Sequence, residues 1–86
     1  MQIRVLAFAH LRELLGRAEL ALELPANATA GDAWAVLAQR LPALAAAGAS
    51  TRLACNGALV SAEQPLRNGD ELALLPDQVA PFPGGE

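Results

Sequence analysis

Few residues in this 86-residue chain are of a type and spacing that does chemistry. There is no Ser/His/Asp set and no phosphate-cradling glycine loop, so no self-contained catalytic site is expected. Cys55 is the single cysteine, which excludes an internal disulfide and a Cys-ligated metal or iron–sulfur site. It sits in a strand pattern and reads as a small core hydrophobe. A reactive thiol needs exposure and a lowered pKa, and no cation stands near it at fixed spacing. His10 has no second ligand in reach and reads as a surface residue. What remains is the last stretch, Pro76-Asp-Gln-Val-Ala-Pro-Phe-Pro-Gly-Gly-Glu86. Pro76, Pro81 and Pro83 lack a backbone donor and cannot continue a helix or a central strand. Gly84 and Gly85 have no Cβ and enter spaces closed to other residues. The expected form is an extended arm, spanning roughly 30 Å from Asp77 to Gly85 at about 3.3–3.6 Å per residue. Its expected use is insertion into another protein's active site. Taken alone, a terminal Gly-Gly also fits an end that merely frays.

The elements that would hold such an arm can be taken in chain order. Gln2 to Phe8 alternates, with Ile3, Val5 and Ala7 on one face and Gln2, Arg4, Leu6 and Phe8 on a second face that is not cleanly polar. His10 to Leu15 is a helical turn stopped by Gly16. Glu19 to Leu24 alternates again, pointing Leu20, Leu22 and Leu24 inward until Pro25 ends it. These two strands make a wide hairpin. Thr29-Ala-Gly-Asp32 has the spacing of a capping box. Trp34, Leu37, Ala38 and Leu41 then form an apolar stripe on a helix of about three turns, with Trp34 in the core. Pro42 to Ser50 is either a second short helix or a loop. Arg52–Cys55 and Ala58–Ser61 flank Asn56-Gly57, a hairpin turn with positive φ at both positions. Gln64 to Arg67 is an irregular turn. Asn68-Gly69 is another turn, and neither Asn-Gly pair is given a further role. Glu71 to Leu75 is the last strand.

This order is strand, strand, helix, strand, short strand, strand. It predicts an α+β domain over residues 1–76, with one main helix covering one face of a small mixed sheet. A flexible extended tail over 77–86 follows. The helix crossover places the first and last strands side by side in the middle of the sheet, as in the β-grasp, or ubiquitin-like, arrangement.

Composition narrows the function classes. The net charge is −3, there is no lysine, and all six cations are arginine. An acidic chain with no basic stretch is a poor nucleic-acid binder. No apolar run reaches the roughly 18 residues of a membrane span, and no signal-peptide layout opens the chain. A cytoplasmic protein without nucleic-acid or membrane partners, and without cofactor or metal, is expected.

Three segments then carry a resemblance. Phe8-Ala-His-Leu-Arg-Glu-Leu-Leu-Gly16, Leu53-Ala-Cys-Asn-Gly-Ala-Leu-Val-Ser61 and Pro65-Leu-Arg-Asn-Gly-Asp-Glu-Leu-Ala-Leu-Leu-Pro76 occur in order, with a Gly-Gly near the end. Together they resemble the small subunit of molybdopterin synthase (MoaD), kin of the thiamine sulfur carrier (ThiS). The resemblance implies that an E1-like, ATP-dependent enzyme adenylates Gly85 and that a sulfur donor converts it to a thiocarboxylate. The sulfur then passes into the active site of the synthase's large subunit, where the dithiolene of molybdopterin is built. Gly84 would supply clearance, and Leu59 would lie in the patch that docks the large subunit. Phe8 and Leu75, on the face opposite the inward sets, would be exposed and join that patch unless the tail or Pro42–Ser50 covers them. Arg12 matches a family position but reads as a solvated arginine. The tail departs from the family's usual Pro-Pro-Val-x-Gly-Gly by extra residues and by Glu86. With Glu86 attached the Gly85 carbonyl is an amide and cannot be adenylated, so trimming by a protease is implied. A carrier for thiamine or another sulfur metabolite, and a ubiquitin-like binding module that is never activated, remain open.

Overall fold

A computed structural model describes residues 1–76. The tail expected over 77–86, with Gly84, Gly85 and Glu86, lies outside the described residues. In order the elements are β1 (Gln2–Ala7), α1 (His10–Leu15), β2 (Glu19–Glu23), α2 (Ala30–Arg40), α3 (Pro42–Ala46), a 3₁₀ turn at Gly48–Ser50, β3 (Thr51–Cys55), β4 (Ala58–Val60) and β5 (Glu71–Pro76). The five strands form one sheet in the order β2-β1-β5-β3-β4. β1 and β5 run parallel and side by side, and every other pairing is antiparallel. This is the β-grasp arrangement that the element order predicts.

Local chemistry fixes the ends of the elements. Gly16 stops α1 in the left-handed region at φ 87°. The Thr29–Asp32 capping box is complete, with the Asp32 amide donating to Thr29 Oγ1 at 3.1 Å and the Thr29 amide donating to Asp32 Oδ2 at 2.9 Å. The next free amides of α2 find partners in the chain beyond β4. Ala30 N donates to the Gln64 carbonyl and Gly31 N to the Ala62 carbonyl, each at 2.8 Å. The helix start, whose first amides have no intrahelical acceptor, is thereby tied to the 61–66 segment.

The core lies between the sheet and α2. Ile3, Val5, Ala7, Leu22, Leu72 and Leu74 are buried from the strands. The helix meets them along a stripe phased differently from the expected one. Its buried residues are Ala30, Ala33 and Leu37, whereas Trp34, Ala38 and Leu41 are half-buried. Trp34 packs against the margin of the core. Small residues on the helix's closest face let its backbone approach the sheet, and the indole is too large for that position. Pro42–Ser50 resolves into α3, with Pro42 at its first turn and Leu44 fully buried, followed by the 3₁₀ turn.

Three further expectations are corrected. Pro76 closes the central strand β5, opposite Thr51. It is tolerated because β1 has left the sheet at that level: the Phe8 carbonyl accepts from Leu11 N at 3.1 Å, so no ladder bond is lost. Nor are the two Asn-Gly pairs only turns. Asn68 Oδ1 accepts from Gln2 N at 2.8 Å, and Asn56 Oδ1 accepts from Glu71 N at 3.0 Å. Each asparagine ties its turn to a distant strand.

Candidate partner-docking face

The helices cover one face of the sheet, and the register shows what the other face presents. Directly paired residues share a face. Leu6 pairs with Ala73, Ala73 with Ala54, and Ala54 with Leu59. These four residues form an apolar row across β1, β5, β3 and β4. Its middle is flat, because two alanines sit between two leucines. In the next row Leu75 pairs with Arg52, and Phe8 lies one residue beyond the last β1–β5 pair, Ala7 with Leu74. Phe8 is 41% exposed and Leu59 61%, and Leu75 is half-buried. Phe8, Leu59 and Leu75, singled out by alternation and resemblance, therefore stand on one face. Leu6, Ala54 and Ala73 join them and were not singled out.

Backbone geometry aims Phe8. Its amide donates to the Leu74 carbonyl at 3.2 Å, which holds it to the sheet one residue past β1. Ala9 then adopts φ 55° and ψ −135°, a conformation that strains a residue with a Cβ and that glycine enters freely. The chain bends sharply there into α1.

Charge frames the apolar row on the β2 side. The Arg4 guanidinium pairs with the Glu71 carboxylate and approaches Glu19 Oε2 at 3.3 Å, so one side chain links three neighbouring strands. The hydrogen bond to Glu71, then the charge of Glu19, raises the Arg4 pKa above its ordinary value. On the β4 side, Leu59 also borders a groove of about 360 Å³ that runs between α2 and the sheet edge, past Gly31, Trp34, Gly48, Leu53 and Val60.

The end of β5 sits at the same pole as Phe8, and the tail departs from it. Cys55 is on the opposite, helix-covered face, paired with Leu72, and is 8% exposed. Burial, then the charge of Asp70, pushes its thiol pKa up. Its Sγ lies 3.6 Å from Asp70 Oδ2. This is the environment of an inert thiol. His10 and Arg12 are exposed on α1. Among the described residues, no group of three His, Cys, Asp or Glu side chains is placed to hold a metal, and no helix is long and apolar enough to cross a membrane.

The sequence profile of the ThiS family matches residues 5–78. The chain belongs to the ThiS family. Over 85 residues it is 32% identical to the molybdopterin synthase sulfur carrier subunit of Arabidopsis thaliana, a match that takes in 99% of this chain and 84% of that protein. Among solved structures, the putative molybdopterin converting factor subunit 1 of Pyrococcus furiosus is similar with a TM-score of 0.82 at 27% identity, over 88% of this chain and 97% of that one. Small archaeal modifier protein 1 of Haloferax volcanii is similar with a TM-score of 0.76, also at 27% identity, over 87% of this chain and 95% of that one. This ThiS-family chain is thus similar in sequence to a protein named a sulfur carrier subunit and in fold to proteins named a molybdopterin converting factor subunit and a modifier protein.

Proposed function

We propose that this chain is the sulfur-carrying small subunit of molybdopterin synthase. Near-full-length kinship with the Arabidopsis sulfur carrier subunit carries this reading. The terminal Gly84-Gly85 and the apolar face beside the tail's exit support it. In this reading a protease first removes Glu86. An E1-like enzyme then binds the tail, and a Gly85 carboxylate oxygen attacks the α-phosphorus of ATP, releasing pyrophosphate. A hydrosulfide equivalent from a sulfur donor attacks the acyl carbon. The C–S bond forms, the C–O bond to AMP breaks with its electron pair, and a thiocarboxylate remains. A carboxylate is a poor electrophile until adenylated, and glycine leaves both faces of the carbonyl open to attack. Gly84 keeps the chain thin enough for a narrow channel. Phe8, Leu59 and Leu75 dock on the large subunit, and the thiocarboxylate reaches the site where the dithiolene forms. A free, buried thiol suits the reducing cytoplasm.

Likeness to the archaeal modifier favours a second reading, in which the same activated glycine passes to an amine of another protein. Intact-mass measurement separates the outcomes. The chain ending at Gly85 and the chain ending at Glu86 are each incubated with ATP, the adenylating enzyme and a sulfur source. Exchange of one oxygen for sulfur on the shorter form alone is expected. No exchange on either form, with an enzyme active on its own carrier, overturns the carrier reading. Transfer of sulfur to a thiamine precursor rather than a molybdopterin precursor would keep the carrier and change the pathway.

A further inference from the structure

The sequence has no lysine, and the structure withdraws the other strong nucleophiles. We infer that the body of this domain cannot serve as an acceptor for an activated acyl group, so the chain donates from its tail without conjugating to itself. The inference rests on the proposed activation of Gly85. An amine captures an acyl-adenylate when its nitrogen lone pair attacks the acyl carbon. The C–N bond forms, the C–O bond to AMP breaks with its electron pair, and the amine loses a proton to water. Arginine does not do this, because its guanidinium stays protonated. All six cationic side chains are of that kind.

The amine at Met1 is the remaining candidate. It is part-buried, donates to the Leu24 carbonyl at 2.7 Å and stands 3.7 Å from Glu23 Oε2. It also lies at the wrong pole. β1 and β5 are parallel, with Arg4 level with Glu71 and Ala7 level with Leu74. Met1 is therefore about eight strand residues from Pro76, or roughly 26 Å at about 3.3 Å per residue. The span from Pro76 to Gly85 is about 30 Å only when fully stretched. A chain's own tail reaches its amine at near-maximal extension, and then meets a nitrogen already bound.

Cys55 is the other nucleophile that forms a lasting adduct. It is the last residue of β3, on the covered face against Leu72, only 8% exposed, with its sulfur turned to Asp70 at 3.6 Å. His10 is exposed near the tail's exit. An acyl group on its imidazole is hydrolysed by water and leaves no conjugate. Hydroxyls compete poorly without a base beside them.

The test has two arms, and the first needs no activation of Gly85. The full chain is treated with an N-hydroxysuccinimide ester of acetate and, separately, with iodoacetamide, folded and in urea. Both labels should enter the folded chain at least about tenfold more slowly than the unfolded one. Arg17→Lys, which sets an amine in the exposed loop before β2 at the tail's pole, should be acetylated promptly while folded. Labelling of the folded wild type at the unfolded rate overturns the inference. In the second arm the chain ending at Gly85 is held at high concentration with ATP and the adenylating enzyme, and pyrophosphate release is followed. Release without a covalent self-adduct is expected for the wild type, and an adduct is expected for Arg17→Lys. A wild-type adduct overturns the inference. Absence of pyrophosphate release instead counts against the activation reading and leaves the labelling arm to decide.

Discussion

Leu6 and Leu59, on different strands, stand in one row of the open sheet face, joined through Ala73 and Ala54. The alanines make a flat floor, and the larger side chains rise at either end. Ala54 is buried and Leu6 and Ala73 are half-buried, so the accessible part of this apolar face centres on Phe8 and Leu59, the kind of surface that binds other proteins. If the proposed carrier docks by this face, replacing Phe8 with Asp or Leu59 with Arg should weaken binding to the proposed large-subunit partner by about tenfold or more, as truncation of an interface anchor does. Leu59, 61% exposed, should change the unfolding free energy by no more than about 0.5 kcal/mol when replaced, whereas Phe8, more than half covered, should cost about 1–2 kcal/mol. Calorimetric titration beside urea denaturation checks both. Unchanged binding in both variants would remove this face from the interface.

The Asp70 carboxylate joins its own turn to the β3–β4 hairpin through three partners. It accepts from Arg67 N at 2.8 Å and from Asn56 Nδ2 at 3.1 Å, and Cys55 Sγ approaches at 3.6 Å. The Arg67 amide, then the Asn56 side chain, hold its pKa below the ordinary carboxylate value. A depressed carboxyl adds stability that is present above the unfolded pKa, about 3.9, and is lost as pH falls through the lower folded value. Urea midpoints of the wild type should therefore drop below about pH 4. Asp70→Asn should flatten that drop. Asp70→Ala should cost about 1–2 kcal/mol at neutral pH through the lost hydrogen bonds.

Two glycines near Trp34 make a matched pair. A Cβ on Gly31 would meet the Ala62 Cβ at 2.9 Å and the Ala62 carbonyl oxygen at 3.0 Å. A Cβ on Gly48 would meet nothing closer than the Trp34 indole at 3.5 Å. Gly31→Ala should destabilise by about 1–3 kcal/mol, since it pushes α2 from the segment that binds its first amides. Gly48→Ala should be near neutral. Thermal unfolding of both variants decides this, and equal losses would refute the packing argument.

Ala9 is strained at φ 55°. Glycine reaches that region without the Cβ penalty, so Ala9→Gly should raise stability by up to about 1 kcal/mol. The same change loosens the bend that aims Phe8. Partner binding should then weaken slightly even as the melting temperature rises, and the two measurements moving together would exclude this account.

Much of the fold is legible in the sequence because local chemistry and global need agree. Asn56-Gly57 adopts φ 51° and 90°, Gly16 stops α1, and Thr29–Asp32 caps α2. The phase of α2 is not legible. Alanines carry little hydrophobic weight, so the large residues draw the expected stripe toward Trp34, while close packing selects Ala30 and Ala33. The alanine-rich run at 42–50 gives no periodicity, and only Leu44 shows that it is a helix with a core face. Of the candidate face, alternation within single strands points to Phe8 and Leu75, of which Leu75 is half-buried, and resemblance points to Leu59. The row from Leu6 to Leu59 depends on register between strands distant in sequence, which no single strand's pattern encodes. The remote bonds of Asn56 and Asn68 are hidden for the same reason.

The parallel alignment of β1 with β5 also sets how the domain bears a load. Tension applied at Pro76 against an anchor near Met1 slides the two strands lengthwise past each other, so their ladder bonds are strained together rather than unzipped one by one. A force drawn along the final strand is therefore met by the whole β1–β5 ladder at once.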